Sequence, residues 1–135
     1  MVVAIEMVRS FRRQRVLRKL ARQWDMHFAA GDRLRLASRV APHLPIPGAA
    51  NVRVRDLLFR THGDLHHYLF SVDYTVGVIR GKIGRCRVAG FQEPVSRGVR
   101  LHRGSPVLAL APYGLSLTAS YEYVRDALAQ ASGGA

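Results

Sequence analysis

Between His66 and Phe91 the chain alternates. His66, Tyr68, Phe70, Val72, Tyr74, Val76 and Val78 fall on one parity, and His67, Leu69, Ser71, Asp73, Thr75, Gly77 and Ile79 on the other. A period of two, with aromatic and β-branched residues gathered on one parity, predicts a half-buried strand whose outward face carries the polar set. Arg80, Gly81, Lys82, Ile83 and Gly84 supply a turn, and Arg85 to Phe91 returns with Cys86 and Val88 on the apolar parity. A loop centred near Gly81 sets Tyr74 opposite Val88 and Val76 opposite Cys86, so the two apolar faces coincide, as burial of a single face requires.

Upstream the pattern is helical. From about Met7 to Trp24 no proline or glycine intervenes, and Val16, Leu17, Leu20, Ala21 and Trp24 share one arc, opposite Arg15, Arg18, Lys19 and Arg22. Arg9 and Arg13 fall into the apolar arc and Phe11 outside it, so docking is expected to begin near Val16. Residues 1–14 therefore read as a basic arm or the start of the helix. Met26 to Phe28 suits a short strand, and Gly31-Asp32 offers a stop and an N-cap for a short helix over Arg33 to Val40, closed by Pro42, Pro45, Pro47 and Gly48.

Val52, Val54 and Leu58 continue as a strand with Arg53 and Arg55 on the other parity. Leu57 and Phe59 break its alternation, so a helical turn around Asp56 competes. Thr61 to Asp64 is a turn, Pro94 to Pro106 a basic loop, and Val107 to Ala111 a last strand stopped by Pro112. Leu117, Tyr121, Val124 and Leu128 recur at helical spacing in a segment ending near Ala129, ahead of a frayed tail at 131–135. The expected architecture is a single α+β domain over 15–130. Its antiparallel sheet has about three to five strands, with the basic N-terminal amphipathic helix and the C-terminal helix on the apolar sheet face.

Composition changes this picture mainly through charge. In 135 residues there are 21 lysines and arginines against 9 acids, a net charge of +12, and the only lysines are Lys19 and Lys82. Such a field favours an anionic partner, with a simple arginine bias as the competing explanation. No run approaches the roughly 18 apolar residues of a membrane-spanning helix. Met1 to Val8 is short, and the arginines follow rather than precede it, the wrong order for a secretory signal. A cytoplasmic location, or one peripheral to a membrane, is expected. Cys86 is the only cysteine, which excludes an intrachain disulfide and a multi-cysteine zinc site.

Three functional readings follow. The first is a non-catalytic binding module in which Arg9, Arg12, Arg13, Arg15, Arg18 and Lys19 meet an anionic membrane surface or a protein partner. The second is nucleic-acid binding by Arg53, Arg55, Arg85 and Arg87, which share the outward parity with His67, Asp73 and Thr75. That face lacks an exposed aromatic platform, because Tyr68, Phe70 and Tyr74 fall on the buried parity, and a cross-strand pair such as Asp73 with Arg87 competes for the charges. The third, a metal-dependent enzyme, rests only on His62, Asp64, His66 and His67 around one turn. Adjacent strand residues point to opposite faces, so His66 and His67 are poorly placed to share an ion. No catalytic residue, metal ligand, cofactor or small-molecule substrate is assigned.

The stretch FRRQRVLRKLARQWDMHF ending at Phe28, together with LFSVDYTVGV, the Val88-Ala89-Gly90-Phe91 return and the late LALAP, resembles a loosely defined group of uncharacterised bacterial proteins. The resemblance spans about residues 12–124. It implies a basic helix ahead of a small α+β domain, often after an N-terminal membrane anchor. This chain departs from that pattern at the anchor, since Met1 to Val8 is too short for one, and the resemblance carries no site residues.

Overall fold

The computed structural model describes residues 2–77, 83–95 and 107–133, with side chains between residues 11 and 131. The expected turn at Arg80 to Lys82 and most of the basic loop, 96–106, lie outside the described residues. In chain order the elements are α1 (Val2–Gln23), β1 (His27–Ala29), α2 (Leu36–Val40), a 3-10 turn (Ala41–His43), β2 (Ala50–His62), β3 (Leu65–Val76), β4 (Ile83–Pro94), β5 (Val107–Leu110) and α3 (Leu117–Gly133). The strands form one antiparallel five-stranded sheet in sequence order, β1-β2-β3-β4-β5. The α+β class and the two flanking helices are as the sequence implied. α3 continues to Gly133, past the expected end near Ala129.

Local chemistry explains the boundaries. Asp32 accepts hydrogen bonds from the backbone N–H groups of Leu36 (2.7 Å) and Ala37 (3.0 Å), which would otherwise be unpaired at the start of α2. Ser116 does the same for α3, its hydroxyl accepting from the Ala119 N–H at 3.1 Å. Gly63, with φ of 60°, turns β2 into β3 in a left-handed conformation that costs glycine little.

Both faces of the sheet are covered, which the alternation did not anticipate. Tyr68, Phe70, Val72 and Tyr74 of β3 pack with Val54 and Leu57 of β2, Ala89 and Phe91 of β4, and Leu36 and Val40 of α2. The cover on this face is α2 and the proline-rich segment after it, with Leu44, Ile46 and Ala49 partly buried against it. Arg39 of α2 pairs with Glu93 of β4, and the Tyr68 hydroxyl donates to the same carboxylate at 3.0 Å. Burial, with Glu93 adding to it, pushes the Tyr68 hydroxyl up to about 12.

The long helices sit on the opposite face, not on the aromatic one. Leu17, Leu20 and Ala21 of α1 and Tyr121, Val124 and Leu128 of α3 enclose Leu58, Leu69, Val88 and Ala111. Docking of α1 through Leu17, Leu20 and Ala21, with Trp24 partly buried, follows the predicted arc, but Val16 is 40% exposed and contact with the sheet begins earlier, at Arg13. In β2 a break in pairing between Arg55 and Leu58 shifts the alternation by one, so Val54 and Leu57, three apart in sequence, share the aromatic core while Leu58 enters the helix-covered one.

The hairpin register also differs from the expected one. Tyr74 pairs with Arg85, Asp73 with Cys86, Ser71 with Val88 and Tyr68 with Phe91. This is an odd-numbered slip from the expected pairing, and an odd slip exchanges faces. Cys86 and Val88 therefore lie with Asp73 and Ser71 on the helix-covered side, and Arg85 and Arg87 lie on the side of Tyr74 and Val72. Gly90, opposite Leu69, sits on the helix-covered side where α3 approaches closely.

Gly90 gives a direct test of that approach. A β-carbon added there would lie 3.1 Å from Val124 Cβ and 3.2 Å from Leu128 Cγ and Cδ1. Val124 Cβ is fixed to the α3 backbone and cannot swing aside, so Gly90→Ala must displace the helix. A loss of about 1–3 kcal/mol is expected in urea unfolding, and unchanged stability would show that α3 is less tightly seated on β4.

Candidate functional site

Two groups of charge stand out, one outside and one inside. On α1 the positions Arg12, Arg15, Lys19 and Arg22 recur at three, four and three residues, so at 100° per residue they form a single stripe. Arg18 flanks it. All five are exposed, and none takes part in an ion pair among the described residues. Arg18 lies over the Phe28 ring at 5.4 Å, and Phe11, on the stripe side of the helix, is 66% exposed. Arg9 belongs to the same helix, but its side chain lies outside the described residues.

Arg13 behaves differently from its neighbours. It projects from the docking arc of α1 and forms an ion pair through Nε with Asp56 Oδ2 at 2.8 Å, while Nη2 donates to Ser71 Oγ at 2.6 Å. Asp56 is buried at 4% exposure and lies in the β2 irregularity with φ of 53°. Arg55 Nη1 reaches the same carboxylate oxygen at 3.0 Å, and its Nε and Nη2 donate to the two Asp73 oxygens at 2.7 and 3.3 Å. Tyr121, fully buried in α3, donates its hydroxyl to the Asp56 carbonyl at 2.7 Å and meets Ser71 Oγ at 3.0 Å. The Asp56 N–H in turn donates to the carbonyl of Ala30 at 3.0 Å. A network of this kind satisfies charges that would be costly to bury singly.

The network sets the proton affinities around it. For Asp73, burial favours the neutral acid, but the hydrogen bonds and charge of Arg55 outweigh it and hold the carboxyl below its ordinary range. Burial likewise opposes the Arg55 charge, and Asp73, Cys86 and Asp56 more than offset it, so the guanidinium is held more firmly protonated than usual. The Cys86 thiol, 3.3 Å from Arg55 Nη2, is raised chiefly by burial, with Asp73 adding to the rise and Arg55 working against it. A raised thiol leaves a smaller thiolate fraction near neutral pH.

The remaining sheet arginines do not form one surface. Arg53 is exposed beside Asp73, on the helix-covered side of the sheet, while the slipped register puts Arg85 and Arg87 on the other. Arg87 donates to the Ala111 carbonyl at 2.7 Å and lies 4.6 Å over the Tyr113 ring. The expected outward face uniting Arg53, Arg55, Arg85 and Arg87 is thus corrected, as is a pairing of Asp73 with Arg87: the partner of Asp73 is Arg55. At the histidine turn, His66 bonds Thr61 Oγ1 at 2.7 Å through Nδ1, whereas His62 and His67 border a cavity on the opposite face. Among the described residues no three metal-ligating side chains converge.

Asp56, Ser71 and Tyr121 were not singled out as polar partners from the sequence. The signals were present as exceptions: an arginine in an apolar helical arc, a break of alternation at Asp56, and a serine within the apolar β3 run. No family model matches the chain, and no curated protein or solved structure matches it.

Asp56→Asn keeps the shape and the tolerance of a left-handed backbone but leaves Arg13 without its carboxylate. A loss of roughly 1–3 kcal/mol is expected in chemical denaturation, because Arg13 and Arg55 keep partial access to water. Asp73→Asn, at a position 37% exposed, is expected to cost under about 1 kcal/mol. Comparable losses for the two would mean that burial at Asp56 does not govern the network.

Cys86 offers a pH readout. Because Asp73 raises the thiol pKa and Arg55 lowers it, Asp73→Asn should increase the thiolate fraction. Alkylation by iodoacetamide near neutral pH is expected to be slower in the native chain than for free cysteine, and faster after this substitution. An equal or lower rate in the variant would contradict the assigned balance.

Proposed function

We propose that this domain is a non-catalytic binding module that meets an anionic membrane surface through the outer face of α1. The observation that carries this reading is the exposed stripe of Arg12, Arg15, Lys19 and Arg22, with no ion pairs among the described residues and with exposed Phe11 beside it. Juxtamembrane lysines and arginines gain about 1 kcal/mol each near an anionic lipid surface, and an aromatic ring among them suits the headgroup boundary. Among the described residues no helix is long and apolar enough to cross a membrane. The interaction in view is therefore contact along a surface, with the docked half of α1 holding the stripe in place.

Arg13 and Arg55 have no part in this reading, because both are engaged with Asp56. The opposed placement of Arg53 and Arg85 leaves the sheet without a continuous cationic face for nucleic-acid phosphates, so duplex DNA serves as the competing ligand in the test. The full chain is expected to cosediment with vesicles containing phosphatidylserine, to be released by high salt, and to ignore vesicles of phosphatidylcholine alone. Replacing Arg12, Arg15, Lys19 and Arg22 by Gln should weaken binding by about fivefold per residue without altering the melting temperature. Preference for duplex DNA, or vesicle binding indifferent to these four changes, would overturn the proposal.

A further inference from the structure

Next to the end of α1, on the helix-covered side of the sheet, lies a cavity of about 500 Å3. That volume falls within the roughly 300–1,000 Å3 usual for small-molecule sites. Trp24 and Met26 close one side, Leu65 and Leu69 of β3 supply apolar floor, and Leu128 of α3 forms the facing wall. Polar groups enter from three elements: Arg60 and His62 of β2, His67 of β3 and Arg125 of α3. Among the described residues no carboxylate lines the cavity.

The two guanidinium groups are held by weak or uncharged partners on the cavity side. Arg60 donates through Nη1 to the Trp24 carbonyl at 3.3 Å and meets His62 Nδ1 through Nη2 at 3.1 Å. Arg125 lies over the Trp24 ring at 4.4 Å, and its counterion, Asp126, is exposed and outside the lining. His67 is held below its ordinary pKa first by burial and then by Arg60, His62 and His66, all of them cations or potential cations. Apolar walls with two guanidinium groups beside Trp24, and no acid among the described lining residues, match a molecule with an apolar body and one negative head.

We infer that this cavity binds a single-headed anionic amphiphile, an alkyl carboxylate, with its chain along Trp24, Leu65, Leu69 and Leu128 and its carboxylate at Arg60 and Arg125. An alkyl body is favoured over a stacked aromatic base because the one large ring in the wall, Trp24, already has Arg125 against a face. The cavity shares no residue with the α1 stripe, so it stands apart from the membrane-surface reading.

Trp24 is the only tryptophan in the chain, and its emission therefore reports occupancy directly. Titration of the full chain with decanoate, below the concentration at which decanoate self-associates, is expected to change that emission saturably. Decanol, lacking the charge, should bind about tenfold more weakly. Ala129→Phe places a ring at the cavity from an exposed position of α3. It should weaken decanoate by at least about tenfold while the melting temperature stays close to that of the parent, as for a surface substitution. Arg60→Gln and Arg125→Gln should weaken decanoate and leave decanol unchanged, read by calorimetry because Arg125 touches the reporter. Absence of a saturable response, equal affinity for decanol, or full decanoate binding by Ala129→Phe would each overturn the inference.

Discussion

A buried carboxylate, Asp56, is the point on which this fold turns. It occupies a left-handed backbone position in the middle of β2, a conformation that non-glycine residues adopt only at a cost. Its N–H is taken by Ala30, its carbonyl by Tyr121 and its carboxylate by Arg13 and Arg55. The segment after β1, the helix α3, the helix α1 and β2 itself are thereby tied to one residue. The irregularity there shifts the alternation of β2 by one and so decides which of two adjacent leucines feeds which core. Buried ion pairs of this kind contribute little net stability over well-packed apolar replacements. What they constrain here is the phase of α1 and the position of the bulge.

The elements were legible because each carries a local signal: alternation in β3, an uninterrupted helical arc in α1, Asp32 and Ser116 at helix starts. The register was not legible, and the reason is physical. Register is fixed by pattern when one face is buried and the other wet, whereas β3 is buried through Tyr68, Phe70 and Val72 on one side and through Leu69 and Ser71 on the other. With both parities in a core, Cys86 and Val88 gave no reliable choice of face. The consecutive pairs Leu57-Leu58 and Leu69-Phe70 were the trace of double coverage. In the same way Arg13, an exception to an otherwise apolar arc, marked a buried ion pair that pattern alone could not match to its acid.

Double coverage also redistributes the charge. With a short helix and a proline-rich segment on one side and two long helices on the other, few sheet arginines remain unengaged, and Arg55 and Arg87 are drawn into internal bonds. The cationic groups left to solvent collect on the outer side of α1 and around the rims. A net charge read from composition is thus an upper bound on the charge available to a partner, and the fold decides its geometry.

The ion pair between Arg13 and Asp56 has a mechanical consequence for the helix that bears it. A rotation of α1 by one residue would swing Arg13 away from its acid by about 100° and carry Leu17 and Leu20 off their seats. Rotation is therefore coupled to two independent losses. The stripe from Arg12 to Arg22 spans ten residues, about 15 Å at 1.5 Å per residue, and is presented as a fixed ruler. Amphipathic segments that order only on contact give up part of their interaction energy to that ordering. In this domain the helix is ordered when the protein folds, so the spacing of the charges along α1 is set before any partner is met.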